Sequence, residues 1–157
     1  MLLRKRALLG TIAITLALIV GWGAGTLRSG ATLASTGGRT MTVVRLYTGS
    51  DGRSHFEDLQ VPLKDGGKVG FLSERVRATG ILFRETEGDY NYDFHTAPRR
   101  QYVVNLQGEV EIEVGDGTRR ILRSGDVLLA EDTTGQGHIS RAVKGKPRKS
   151  LFITLDD

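Results

Sequence analysis

Apolar and charged residues alternate without a break over residues 109–114 (EVEIEV). Val110, Ile112 and Val114 fall on one face and Glu109, Glu111 and Glu113 on the other. That is the period-two pattern of a strand with one face on a core and one in water. Residues 101–106 (QYVVNL) precede it, rich in β-branched and aromatic side chains, and Gln107-Gly108 punctuates the two runs. The pair is expected to form a hairpin. Further strands are expected over residues 41–47 (MTVVRLY), 54–63 (SHFEDLQVPL), 80–85 (GILFRE), 118–122, 127–130, from His138 onward, and 150–155 (SLFITL). Residues 89–95 (DYNYDFH) also alternate, with Tyr90, Tyr92 and Phe94 on one side and Asn91, Asp93 and His95 on the other.

Turn signals separate these runs. They include residues 49–52, 64–68, 87–89, 115–117 (GDG), Gly125-Asp126, a polar loop over 131–137, and a basic turn over 144–149 (KGKPRK). Residues 71–79 fit either a strand or one helical turn. About ten short strands with turns between them and no clear helix predict an all-β sandwich or jelly roll. Its expected core includes Val110, Ile112, Val114, Val127, Leu129 and Ile153.

The N-terminus follows another pattern. Arg4-Lys5-Arg6 precedes residues 7–27, which carry no charge. That run exceeds the signal-peptide core of roughly 7–15 residues and approaches the roughly 20 that span a bilayer. Residues 1–27 are therefore expected to be a hydrophobic helix, either a signal anchor kept in the membrane or a signal peptide cut after a small residue such as Gly25 or Ala34. Both place the domain outside the cytoplasm. Residues 28–40, rich in Gly, Ser and Thr, are the expected flexible linker, and 41–157 the folded domain.

Composition changes this picture in two ways. The formal charge is +4, but Arg4, Lys5 and Arg6 account for three of those positives, leaving +1 for the rest. No basic face studded with aromatics remains, which argues against nucleic-acid binding. The chain has no cysteine, which excludes disulfides, thiolate metal sites and a cysteine nucleophile.

Only three histidines are available: His55, His95 and His138. His55 and Glu57 are two apart, hence on one face of a strand, and are either two metal ligands or solvated groups on an edge. His95 precedes the central glycine turn, and His138 follows a loop opened by Gly125-Asp126. This succession resembles the two motifs of the cupin superfamily. Counting back from Gly108, Gln101 takes the place of the family's motif glutamate, Ala97 that of the second histidine, and His95 that of the first. Gly125 and His138 match the ends of the second motif, whose proline is absent here and whose loop is two residues longer. The resemblance covers roughly residues 70–157. It is strongest to small bacterial cupins carrying HTAPRRQY and GDVLLAEDTTGQGH.

The resemblance implies an antiparallel double-stranded β-helix, the jelly-roll barrel, with His95 and His138 converging at its mouth beside Gln101. It implies a divalent metal (Fe, Mn, Zn or Ni) on these three residues, with His55 or Glu57 as lesser candidates to complete the set, and oxygenase- or isomerase-type chemistry. Without a metal, the same mouth would hold a small oxygenated ligand, with Arg99, Arg100 and Tyr102 as candidate substrate contacts. Each histidine and arginine also has a plainer reading, as a hydrogen-bonded rim residue or a solvated turn. The partners implied are a small molecule, the membrane through the N-terminal segment, and a second copy of the chain in a homodimer. A non-catalytic binding or scaffold domain tethered to the membrane is the alternative.

Overall fold

The computed structural model describes residues 38–156. Twelve strands run in order: β1 (Thr40–Thr48), β2 (Ser54–Pro62), β3 (Lys64–Asp65), β4 (Phe71–Leu72), β5 (Ala78–Thr86), β6 (Asn91–His95), β7 (Gln101–Gln107), β8 (Val110–Glu113), β9 (Arg119–Leu122), β10 (Val127–Glu131), β11 (His138–Ala142) and β12 (Arg148–Leu155). One 3-10 turn, Gly67–Val69, interrupts them. Among the described residues no helix is long and apolar enough to cross a membrane. The expected hydrophobic helix over residues 1–27 and most of the expected linker lie outside the described residues.

The domain is all-β and built of two main sheets, with β3 and β4 paired as a separate two-stranded one. A six-stranded sheet has the order β2-β1-β10-β7-β12-β5, and a four-stranded one the order β6-β11-β8-β9. Their facing sides bury Leu46, Val103 and Leu128 from the first against Val110, Ile112 and Leu122 from the second. Alternation within β10 sends Leu129 to the opposite face of its sheet, where it packs with Val43 and Leu155. Val127 and Ile153, expected in the core, are only half-buried.

Three expectations are corrected. Residues 101–114 are not a hairpin, because β7 pairs with β10 and β12 while β8 pairs with β9 and β11 in the other sheet. Gly108 makes the crossing: its φ is +78°, and a Cβ there would lie 2.5 Å from the Pro147 carbonyl oxygen. Only glycine combines that backbone conformation with that close approach. The pairing is also not antiparallel throughout, since β1 runs parallel to β10. A parallel pair needs a long connection, and β2 to β9 lie between these two strands. Finally, the sheets do not close into a barrel. β5 and β6 follow one another in the chain yet end as unpaired edges of different sheets. Inward side chains of both, including Leu82, Arg84 and Tyr92, line the space that separates them.

Leu46 is fully buried between the sheets, whereas Phe83 on the edge strand is 84% exposed. Leu46→Ala should cost about 2–5 kcal/mol of stability. Phe83→Ala should stay within about 0.5 kcal/mol of the parent. Urea unfolding of the two variants measures both.

Candidate functional site

The two sheets enclose a cavity of about 850 Å³. Its walls are largely apolar, with Val103, Ile112, Leu128 and Phe152 among them. This volume lies in the range of small-molecule sites, roughly 300–1,000 Å³. Polar groups gather at its two ends. His95, His138, Gln101 and Thr154 mark one end, and Arg148 and Asn105 the other. No carboxylate side chain lines the cavity among the described residues.

At the histidine end the two imidazoles converge, with ring centroids 4.3 Å apart and planes tilted by 51°. The strands dictate this. His95 ends β6 and His138 begins β11, and the two face each other in register. From that pair to the Ser140–Tyr92 pair, β11 advances two residues and β6 three. This bulge reverses the simple alternation, so Tyr92 and His95 share a face and their rings stack with centroids 3.9 Å apart. Close approach also requires Gly137, where a Cβ would lie 2.2 Å from the His95 carbonyl oxygen and φ is +76°.

Each ring is held by the same nitrogen. His95 Nδ1 lies 2.7 Å from the Asp93 carbonyl oxygen, and His138 Nδ1 lies 2.6 Å from Oδ2 of Asp132. A carbonyl can only accept, and a carboxylate oxygen facing a ring nitrogen accepts, so Nδ1 is the donor of each ring and the nitrogen that keeps its proton whenever that ring is neutral. Nε2 of each is then a bare acceptor on a ring that lines the cavity. Burial holds the His95 pKa below its ordinary 6.5 despite the bond to Asp93, and the neighbouring His138 adds to the depression. His95 is thus neutral at pH 7.

Asp132 is fully buried and accepts a second hydrogen bond, from the Ser54 hydroxyl at 2.9 Å. Its backbone carbonyl accepts from the Ala97 amide at 3.0 Å. The sequence places Asp132 in a polar loop, with nothing to separate it from its neighbours. Its role comes from the fold, which brings β2, the loop after β6 and β11 to one carboxylate.

The remaining candidates divide. Gln101 is buried and lines the cavity, and the exposed Arg99 lines it too. Tyr102 does not, because it follows Gln101 on β7 and so faces the other side of the sheet, against the Val43–Leu129–Leu155 cluster. Arg100 is taken up by Glu131, at 2.6 Å, and by the Asp156 carbonyl oxygen. His55 lies on the edge strand β2, its Nε2 2.9 Å from Asp51, and Glu57 pairs with Arg45 at 2.9 Å. Neither lines the cavity.

This donor set is short for a tightly held metal ion. Zinc sites have three or four protein ligands. Here two imidazoles converge and a neutral amide lines the same cavity, and no cluster of three or more His, Cys, Asp or Glu occurs among the described residues.

At the opposite end the chain departs from its expected turn. Arg148 begins β12 rather than closing a solvated basic loop, and it is buried. Its burial and the nearby Arg84 push its pKa down to about 10, so it remains charged at neutral pH. In the sequence it is one of four cations in KGKPRK, and no signal there separates it from the exposed ones.

No family model matches the chain, and no curated protein does. Solved structures similar to it include a protein from Neisseria meningitidis, 17% identical over 52% of this chain and 79% of that one, with a TM-score of 0.40. Another, assigned to ethanolamine utilization in Salmonella typhimurium, is 16% identical over 75% of this chain and 98% of that one, with a TM-score of 0.40. The dTDP-6-deoxy-D-glucose-3,5-epimerase of Legionella pneumophila is 13% identical over 75% of this chain and 72% of that one, with a TM-score of 0.38. Likenesses this distant carry no information on substrate or chemistry.

The Arg100–Glu131–Arg45 triad beside the site has a pH signature. Burial raises the Glu131 pKa, but hydrogen bonds from Arg100 and Arg45 outweigh it and hold the carboxyl below its ordinary 4.5. The stability it contributes is therefore present above about pH 4.5 and is lost as pH falls through the lower folded value. Glu131→Gln should cost about 1–3 kcal/mol at pH 7 and much less in strong acid. Urea unfolding at the two pH values measures this, and an equal cost at both would contradict the ion triad.

Proposed function

We propose that this chain is a cupin-type small-ligand-binding protein, its sandwich a jelly roll that holds a small oxygenated molecule between the sheets. The observation that carries this reading is the largely apolar cavity between the sheets with His95 and His138 side by side at one end, each fixed through Nδ1. Two bare Nε2 atoms accept hydrogen bonds from a hydroxyl or amide of the ligand. Gln101 offers a donor and an acceptor beside them. The apolar walls supply the contact area. The motif succession from His95 through Gly108, Gly125 and His138 supports the cupin assignment. Arg4-Lys5-Arg6 and the uncharged residues 7–27 support a domain that works outside the cytoplasm, tethered or exported.

A second reading has one observation in its favour. A ligating histidine has its other nitrogen held by a carboxylate or carbonyl, and both rings here do. On that reading His95, His138 and Gln101 hold a weak, exchangeable divalent ion (Fe, Mn, Zn or Ni) rather than the ligand's own polar group.

One preparation tests both. The chain, purified without an affinity tag, should release a small organic molecule on solvent extraction, identified by mass spectrometry. Leu82→Trp places a large ring in the cavity from an exposed edge position and should remove that molecule. His138→Ala should weaken its retention about tenfold, the value of one good hydrogen bond. Equal ligand content in parent and Leu82→Trp would exclude the cavity as the site. Stoichiometric metal that disappears in His138→Ala would favour the second reading.

A further inference from the structure

Arg148 is a buried cation with no counter-ion among the described residues. It is 6% exposed, it lines the cavity, and its Nε is buried without a hydrogen-bond partner. Two more polar atoms close by are in the same condition. Ser150, two residues along β12 and buried, leaves its hydroxyl unpartnered, and Asn105, its register partner on β7, leaves Oδ1 unpartnered. Nearly all buried polar atoms in folded proteins are satisfied. Two of the three, Arg148 Nε and Asn105 Oδ1, belong to residues that line the cavity, and an end that leaves them unsatisfied is built for something that fills it. Arg84 stands opposite Ser150 on β5, its guanidinium 5.4 Å from the Phe152 ring centroid. Arg84 also lines the cavity. Two guanidinium groups therefore meet a space with no carboxylate side chain among the described residues.

From these placements, and resting on the ligand-binding reading above, we infer that the Arg148 end is an anion subsite that takes the carboxylate of a small organic acid. The arginine fork matches a carboxylate with two parallel N–H···O bonds. The apolar walls between the two ends suit an acid with a hydrocarbon or aromatic body. Arg148 and Thr154 are six residues apart on β12, a span of about 20 Å at strand rise. The ligand is therefore anchored by its carboxylate at one end, and its hydroxyl or amide reaches toward His95 and His138 at the other.

The probe is 4-phenylbutyrate, with 4-phenylbutanol as its neutral analogue and inorganic phosphate as a second anion, titrated calorimetrically into the full chain. The acid should bind at least tenfold more tightly than the alcohol. Arg148→Met replaces the unpaired cation with an apolar side chain of similar length and should abolish that preference. It should leave the unliganded protein at least as stable, because a charge without a partner is removed. Arg84→Gln should weaken the acid severalfold and leave the alcohol unchanged. If acid and alcohol bind the parent equally, the anion subsite is refuted while the ligand-binding reading stands. If neither binds, both fail. Tighter binding of phosphate than of the acid would overturn the carboxylate assignment. An Arg148→Met protein that loses stability but keeps the acid preference would make Arg148 structural and refute the inference.

Discussion

The site depends on one buried carboxylate. Asp132 has no exposed surface, and through its side chain and backbone it holds Ser54, His138 and Ala97. These three belong to β2, β11 and the loop that follows β6. Ser54 and His138 both bond to Oδ2, which draws their segments to the carboxylate, while Oδ1 is buried without a partner. The consequence for chemistry is local. With Nδ1 of His138 fixed on Asp132, its ring can turn only Nε2 toward the cavity. The Asp93 carbonyl imposes the same orientation on His95.

The cavity is polar at its two ends and apolar between them. At one end the described groups are hydrogen-bond acceptors and an amide. At the other, the Arg148 and Arg84 guanidinium groups are donors without acids, beside the Asn105 amide. Such a division gives direction as well as affinity, because a molecule with a donor at one end and an acceptor at the other binds in one orientation only. The open side between β5 and β6 gives access. Arg84 lies there, over the Tyr90 ring at 5.0 Å, so an entering anion meets a positive group at the edge before it meets Arg148.

Local periodicity was legible in the sequence. Val110, Ile112 and Val114 are buried as their alternation requires, and His95 and His138 meet where the motif order places them. The same alternation separates Tyr102 from Gln101, since neighbours on a strand cannot both face one cavity. What was illegible depended on pairing. Nothing in residues 101–114 distinguishes a hairpin from a strand that changes sheets at Gly108, because both need a glycine turn. The bulge in β6 was equally hidden, as it exists only against β11. Arg148 and Asp132 read as solvated charges because burial of a charge leaves no compositional trace. Their surroundings are contributed by strands far away in the chain.

The most direct measurement is the protonation state of the two imidazoles by ¹⁵N NMR at neutral pH. The expected spectrum shows His95 as a neutral ring protonated on Nδ1, with an unprotonated Nε2 whose resonance shifts when a ligand or ion enters the cavity. A proton on Nε2 of His95 would contradict the account, because the cavity would then face a donor where its chemistry requires a lone pair.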